Sequence, residues 1–240
     1  STGVGLCQNG IDSSPQMISR RSIILPTVTS TLATVVEMVR PKPANAASTV
    51  SEGMSAFASG DIEKSIAIYD TILSSNPQYK PYLWQRGLSL YYANRFQDGA
   101  DQFAADVAVN PNDTEEQIWH LLCLAQVKGS LDKARPFKLT VGRDRRPVMR
   151  TVQSLFLSGS AENEDRLVQI AQQEEGDGNK FYASLYLSLY YESMGKTEQA
   201  QRWMVQAVKT NYSQRTGVRD PMVELAKVAL QKRGWLDQKV

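Results

Sequence analysis

The sequence is poor in the side chains from which catalytic and metal sites are usually built. Its 240 residues hold one histidine, His120, and two cysteines, Cys7 and Cys123. A structural zinc site takes four ligands, which this inventory cannot supply. The two cysteines are too few for a disulfide framework. His120 and Cys123 are three residues apart and so share a helix face. A rim histidine beside a core cysteine accounts for that spacing without a nucleophile pair. No glycine-rich phosphate loop, Gly-x-Ser-x-Gly elbow or paired-carboxylate motif is present. Glu162, Glu164 and Asp165 do cluster, but at the start of a predicted helix, where acidic groups favour the helix dipole. The expectation is a chain with no catalytic residues, no metal and no cofactor.

Charge of one sign is lacking too. The formal net charge is +2, which gives no footprint for nucleic acid. That excess sits before residue 47, where Arg20, Arg21, Arg40 and Lys42 outnumber Asp12 and Glu37; the remainder is neutral. No uninterrupted apolar run approaches the roughly 20 residues that a bilayer requires.

What is there falls into two parts. Residues 1–19 are rich in Gly, Ser, Asn and Gln and have no helical or strand period. Arg20-Arg21 then heads the mostly apolar stretch Ser22 to Val39, and the small-residue run Ala44-Asn45-Ala46-Ala47 follows. A charged head, an apolar middle and an Ala-x-Ala end are the parts of a cleavable export signal. Ser19-Arg20-Arg21 looks like a twin-arginine head. Behind a Ser-rich leader, it resembles the second half of a bipartite plastid signal, which implies the thylakoid lumen. Another plastid compartment and bacterial export are the alternatives. Pro26 and Glu37 interrupt the apolar stretch, so a disordered leader with a short amphipathic helix is the competing reading. The expected division is a leader over 1–46 and a helical domain over 47–240.

The helical domain carries internal repetition. Gly53 and Gly87 are 34 residues apart, as are Tyr69 and Phe103, Asn76 and Asn110, and Pro77 and Pro111. Each unit reads as an amphipathic helix, a tight turn, a second helix and Asn-Pro. The mid-helix glycines let the paired helix pack close. Gly60 ends a first helix, Ser65 and Gly99 are small where the helices cross, and the prolines stop the second helices. A third unit starts at Thr114, where Thr114 and Gln117 read as a capping box, and runs through Val127 to a turn at Lys128-Gly129-Ser130. Its second helix, Leu131 to Leu139, is interrupted by Pro136. Residues 148–173 read as a fourth pair, with Val148, Val152, Leu155, Phe156, Leu167, Val168, Ile170 and Ala171 facing inward. Glu174 to Gly178 reads as a polar linker. Gly195 to Ala200 then mirrors Gly60 to Ser65, and Asn211 mirrors Asn76, at an offset of 135. Asp220-Pro221 opens a last helix.

Over residues 46–113 the chain resembles the tetratricopeptide-repeat (TPR) family, whose period is 34 residues. Asn94 stands where the turn glycine of the second unit belongs, and Trp84 falls one place after the family's early tryptophan. The resemblance implies an all-α fold, a TPR-like α-solenoid of about five helical hairpins plus a C-terminal capping helix. It also implies a concave surface made by the first helix of each hairpin. Val50, Met54, Trp84, Leu88, Ile118 and Leu122 take the places from which that family can clamp a carboxylate, and Tyr91 adds aromatic weight. They are apolar and cannot donate to a carboxylate. Either a partner's apolar helix docks there or neighbouring helices of this chain cover the face. Arg143, Arg145, Arg146 and Arg150 form a second candidate partner-binding cluster, for an acidic segment; a solvated loop with Asp144 pairing locally explains them as well. The implied function is protein–protein interaction. With the address, this means a lumenal adaptor or assembly factor, peripheral to a photosynthetic or other membrane complex, or a constitutive structural subunit of one. The sequons Asn112-Asp113-Thr114 and Asn211-Tyr212-Ser213 fall at expected helix boundaries and are read structurally.

Overall fold

The computed structural model describes residues 46–173, 176–215 and 220–236, which are helical with no strand among them. The expected leader before Ala46, with Cys7, Arg20 and Arg21, lies outside the described residues, as do Glu174 and Glu175.

The chain runs as helix pairs. α1 (Ala46–Ala58) pairs with α2 (Ile62–Ser75), and α3 (Trp84–Tyr92) with α4 (Phe96–Val109). α5 (Thr114–Lys128) pairs with the short α6 (Leu131–Ala134), α7 (Pro147–Ser158) with α8 (Ala161–Gln172), and α9 (Asp177–Ser193) with α10 (Thr197–Lys209). A single turn, α11 (Asn211–Gln214), leads to the last helix, α12 (Pro221–Lys232). A 3-10 segment, Pro77–Tyr82, joins α2 to α3, and a second, Arg135–Phe137, finishes α6.

The recurring turn has one geometry at three places. Gly60 (φ 80°), Asn94 (φ 59°) and Gly195 (φ 72°) all sit in the left-handed region. Asparagine is the non-glycine residue that tolerates it best, which is why Asn94 can stand in for glycine. After each, an amide reaches back to close the helix: Asp61 to the Ala56 carbonyl, Arg95 to Leu90 and Lys196 to Tyr191, each at 2.9 Å. The helix crossings recur as well. A Cβ on Gly53 would lie 2.6 Å from Tyr69 Cζ, and one on Gly87 2.5 Å from Phe103 Cζ, so each ring lies flush against bare backbone. The Ser65 hydroxyl donates to the Gly53 carbonyl at 2.8 Å. In the last pair the exchange is reversed: Ser188, in the Gly53 position, donates to the carbonyl of Ala200, in the Ser65 position, at 2.6 Å.

Several local expectations are corrected. Asp113, not Thr114, caps α5: it stands one position before the helix, where its carboxylate accepts from the Glu115 amide at 3.1 Å. Gln117, which is buried, instead reaches across to α7 and the segment before it, accepting from the Gln153 side-chain amide at 2.9 Å and donating to the Leu139 carbonyl. The helix after Ser130 stops at Ala134 rather than Leu139, where Pro136 allows only a 3-10 turn. Gly178 belongs to α9 rather than to a linker; Gly176, at φ 83°, is the cap. α12 begins where expected, with the Asp220 side chain accepting from the Met222 amide at 2.9 Å.

One apolar core runs through all five pairs, from Phe57 and Ile66 to Trp235. A small satellite of Tyr69, Ile72 and Leu83 lies at the N-terminal end. The arrangement does not simply run from one end to the other. α12 packs on α10 and also on α1, so the first and last helices touch.

Candidate functional site

The apolar side chains expected on an open concave face are placed mostly in the core. Leu88, Tyr91, Ile118 and Leu122 are fully buried, and Met54 and Trp84 are half-buried against the same cluster. Tyr91 meets Tyr92, Phe96 and Trp119 edge-on, with ring centres 5.3, 5.4 and 5.3 Å apart. The open reading of this face is therefore corrected at those four residues: the chain's own side chains cover them. Such a face exposes several large apolar groups, each gaining about 1.5–3 kcal/mol on burial, so it closes on itself when a helix is at hand.

For the α5 residues that cover comes from α3, α7 and α9, and at the Tyr91 end it comes from α12. At its C-terminal end, Arg233 donates through Nε to Glu192 Oε1 on α9 and lays its guanidinium over the Tyr92 and Tyr91 rings, 5.3 and 5.9 Å away. Burial works against the Arg233 charge, but Glu192 outweighs it and raises the pKa. Gln231 lies against Gly60, where a Cβ would come within 2.5 Å of its Oε1. The Tyr91 and Tyr92 hydroxyls are buried with no hydrogen-bond partner. Burial first and Glu192 second push both phenol pKa values up, so both rings stay neutral. Arg233 and Glu192 carry no sequence signal of their own, since nothing in the repeat pattern brings the last helix back to the first.

The arginine cluster is divided. Arg143 and Arg145 are exposed, as a docking cluster requires. Arg150 donates to the Asp144 and Arg145 carbonyls at 3.1 and 2.9 Å and so staples its own loop. Arg146 points inward. It pairs with Asp144 at 2.9 Å and with the buried Glu115 at 3.0 Å, and lies over the Tyr182 ring at 5.3 Å. Burial opposes its charge, and Glu115 followed by Asp144 more than restore it. Glu115 also accepts from the Tyr186 hydroxyl at 2.7 Å. The network continues through Tyr182, whose hydroxyl donates to Asp220 at 2.7 Å, and Tyr212, which donates to the same oxygen at 2.8 Å. It joins α5, the loop before α7, α9, α11 and the start of α12. Local pairing by Asp144 was legible in the sequence. The partnership of Glu115 with Arg146 and Tyr186 was not, because 31 and 71 positions separate them.

His120 and Cys123 share α5. His120 is 7% exposed, and burial lowers its pKa from 6.5 to about 4, so the imidazole is neutral. Burial raises the pKa of the Cys123 thiol, which suppresses the thiolate. One grouping escaped the sequence reading: donor oxygens of Asp106, Asp113 and Glu116 lie within 4.8 Å of one another. Oxygen donors of this kind suit a hard cation such as calcium or magnesium. Here Asp106 accepts from the Asn110 amide at 3.1 Å, Asp113 caps α5, and the group sits at that helix's N-terminus, where its dipole favours negative charge.

Among the described residues no helix is long and apolar enough to cross a membrane. No known family model matches the chain, and no curated protein matches it.

Proposed function

We propose that this chain is a TPR-like helical-repeat protein that acts as a protein–protein interaction module, an adaptor or assembly factor rather than an enzyme. The observation that carries the reading is the threefold recurrence of one turn. Gly60, Asn94 and Gly195 hold the same left-handed conformation, each followed by a 2.9 Å amide-to-carbonyl bond, and the paired glycine–aromatic crossings keep the same phase. Stacked repeats of this kind are binding scaffolds, and the run of five consecutive helix pairs is what supports a solenoid.

The burial of Leu88, Tyr91, Ile118 and Leu122 moves the docking surface to what stays accessible: Arg143 and Arg145 beside α7, and the half-buried Met54 and Trp84. The two exposed arginines suit an acidic segment. The twin-arginine leader motivates the thylakoid lumen as the compartment and a photosynthetic or other membrane complex as the client.

The test is native electrophoresis of fractionated organelles with the protein quantified against complex subunits, comparing wild type with Arg143→Glu/Arg145→Glu. An adaptor is substoichiometric, and the double reversal cuts its association. Migration at fixed stoichiometry would make it a structural subunit instead. Free migration of the wild type in every fraction would remove the interaction reading.

A further inference from the structure

The two ends of α12 are held very differently. At its N-terminal end Asp220 caps the helix and accepts from both Tyr182 and Tyr212, so every group of that anchor is matched. At its C-terminal end, among the described residues, the polar hold is one ion pair, Arg233 with Glu192, beside the Tyr91 and Tyr92 hydroxyls, which are buried with no hydrogen-bond partner. A buried hydroxyl left unmatched favours any state in which water or another group reaches it. This C-terminal end lies over α3 and Gly60, in the seam where α12 meets α1, and Phe57 of α1 stands edge-on to Tyr92 with ring centres 5.9 Å apart. The seam joins the first and last described helices, and among the described residues it is closed by packing, by that ion pair and by the Arg233 guanidinium over the two tyrosine rings.

We propose that the C-terminal half of α12 is a latch: it swings from the α1–α3 face about the Asp220 anchor and yields its seat to a partner's apolar helix. The chemistry of the seat defines that helix. It needs an apolar helix that can be buried as Val228, Ala229 and Leu230 are, and a basic residue at its C-terminal end to replace Arg233 between Glu192 and the two tyrosine rings. The seat thus selects a cationic helix end, whereas the exposed arginines select an acidic segment, so the two surfaces engage a partner through opposite charges. This rests on the interaction-module reading for its purpose but not for its test.

Native-state hydrogen exchange on the full chain, with no partner present, measures the latch directly. Amides of the C-terminal half of α12 and of α1 exchange at least about tenfold faster than those of α5, through an opening smaller than global unfolding. Arg233→Glu speeds exchange in those two helices by a further factor of roughly ten while leaving α5 unchanged, and Arg233→Glu/Glu192→Arg restores it. A fluorescent peptide spanning residues 220–236, which carries its own Arg233, binds the Arg233→Glu chain at least about tenfold more tightly than the wild type, a difference of about 1.4 kcal/mol. If α1, α5 and the C-terminal half of α12 exchange together in the wild type, the latch is refuted, whether or not Arg233→Glu folds. Equal or absent peptide binding with α12 freed refutes the partner helix. Because no client protein enters the exchange measurement, loss of the latch leaves the interaction-module reading to its own experiment.

Discussion

Replacing Gly87 by alanine sets two effects of similar size against each other. In an exposed helix interior the change stabilises by about 1 kcal/mol, since alanine loses less backbone freedom than glycine on folding. At Gly87 the new Cβ would stand 2.5 Å from Phe103 Cζ. That ring cannot swing aside, because Phe103 is fully buried and stacks on Trp119 with ring centres 6.2 Å apart. Parting the helices would open the same close crossing, where a Cβ on Gly99 would stand 3.6 Å from the Gly87 carbonyl oxygen. Overpacking a closed site costs about 1–3 kcal/mol, which exceeds the propensity gain over most of that range. Gly87→Ala is therefore expected to destabilise by up to about 2 kcal/mol and to lower Tm by up to roughly 8 °C in a chain of this size. Gly53→Ala, against Tyr69 in the equivalent crossing, should shift Tm in the same direction. A double-mutant cycle with Phe103→Leu assigns the loss to the contact, since the combined change costs less than the two singles added. A Tm that rises for Gly87→Ala would show that the crossing has slack and that Phe103 does not require bare backbone at Gly87.

Four further outcomes can be measured. Arg146→Ala leaves Glu115 buried beside Asp144 without its cation; with Arg146 itself partly exposed, a loss of about 2–3 kcal/mol in urea unfolding is expected, only partly recovered by Arg146→Lys. His120 is held neutral by burial, with a folded pKa of about 4 against 6.5 unfolded, so its contribution is full above pH 6.5 and is lost as the pH falls through about 4. Wild type should lose on the order of 3 kcal/mol across that window relative to His120→Gln, read from denaturant midpoints. In a Cys7→Ser background, native Cys123 should resist a thiol reagent and react at the rate of unfolding, because it is buried and its pKa is raised. Tyr212→Phe removes one of three donors from Asp220 and should cost about 1–2 kcal/mol, with faster exchange at the start of α12.

The parts of this fold that were legible in the sequence are those whose causes are local. The pairs from α1 to α4 follow from glycines, aromatics and prolines recurring at 34 residues, and the last pair from the return of Gly195 to Ala200. Helix ends were read less well because two side chains competed for one role. Asp113 and Thr114 could each cap α5, and the order was settled by which oxygen reaches a first-turn amide. The site was less legible still. The apolar faces of α3 and α5 announce burial against something, but not whether a partner or the chain's own helices supply the cover. Arg146 looked like one surface arginine among four, and its inward turn depends on Glu115 and Tyr182, which the chain brings to it from distant helices. The acidic group at the start of α5 joins Asp106 of α4 to Asp113 and Glu116, a meeting that only the helix pairing produces.

The seam between α1 and α12 also sets an order of events during synthesis. The helices from α1 to α4 can pair as soon as they leave the ribosome, since each partner follows within a few residues. The cover for Phe57 and Tyr92 is encoded beyond residue 220, and at roughly 5–20 residues per second it arrives on the order of ten seconds or more after α1. For that interval the nascent chain presents an apolar seat with Glu192 not yet made, then made, then filled. Chaperones, or a client helix already present in the compartment of synthesis, meet the protein in that order, before its own last helix can compete.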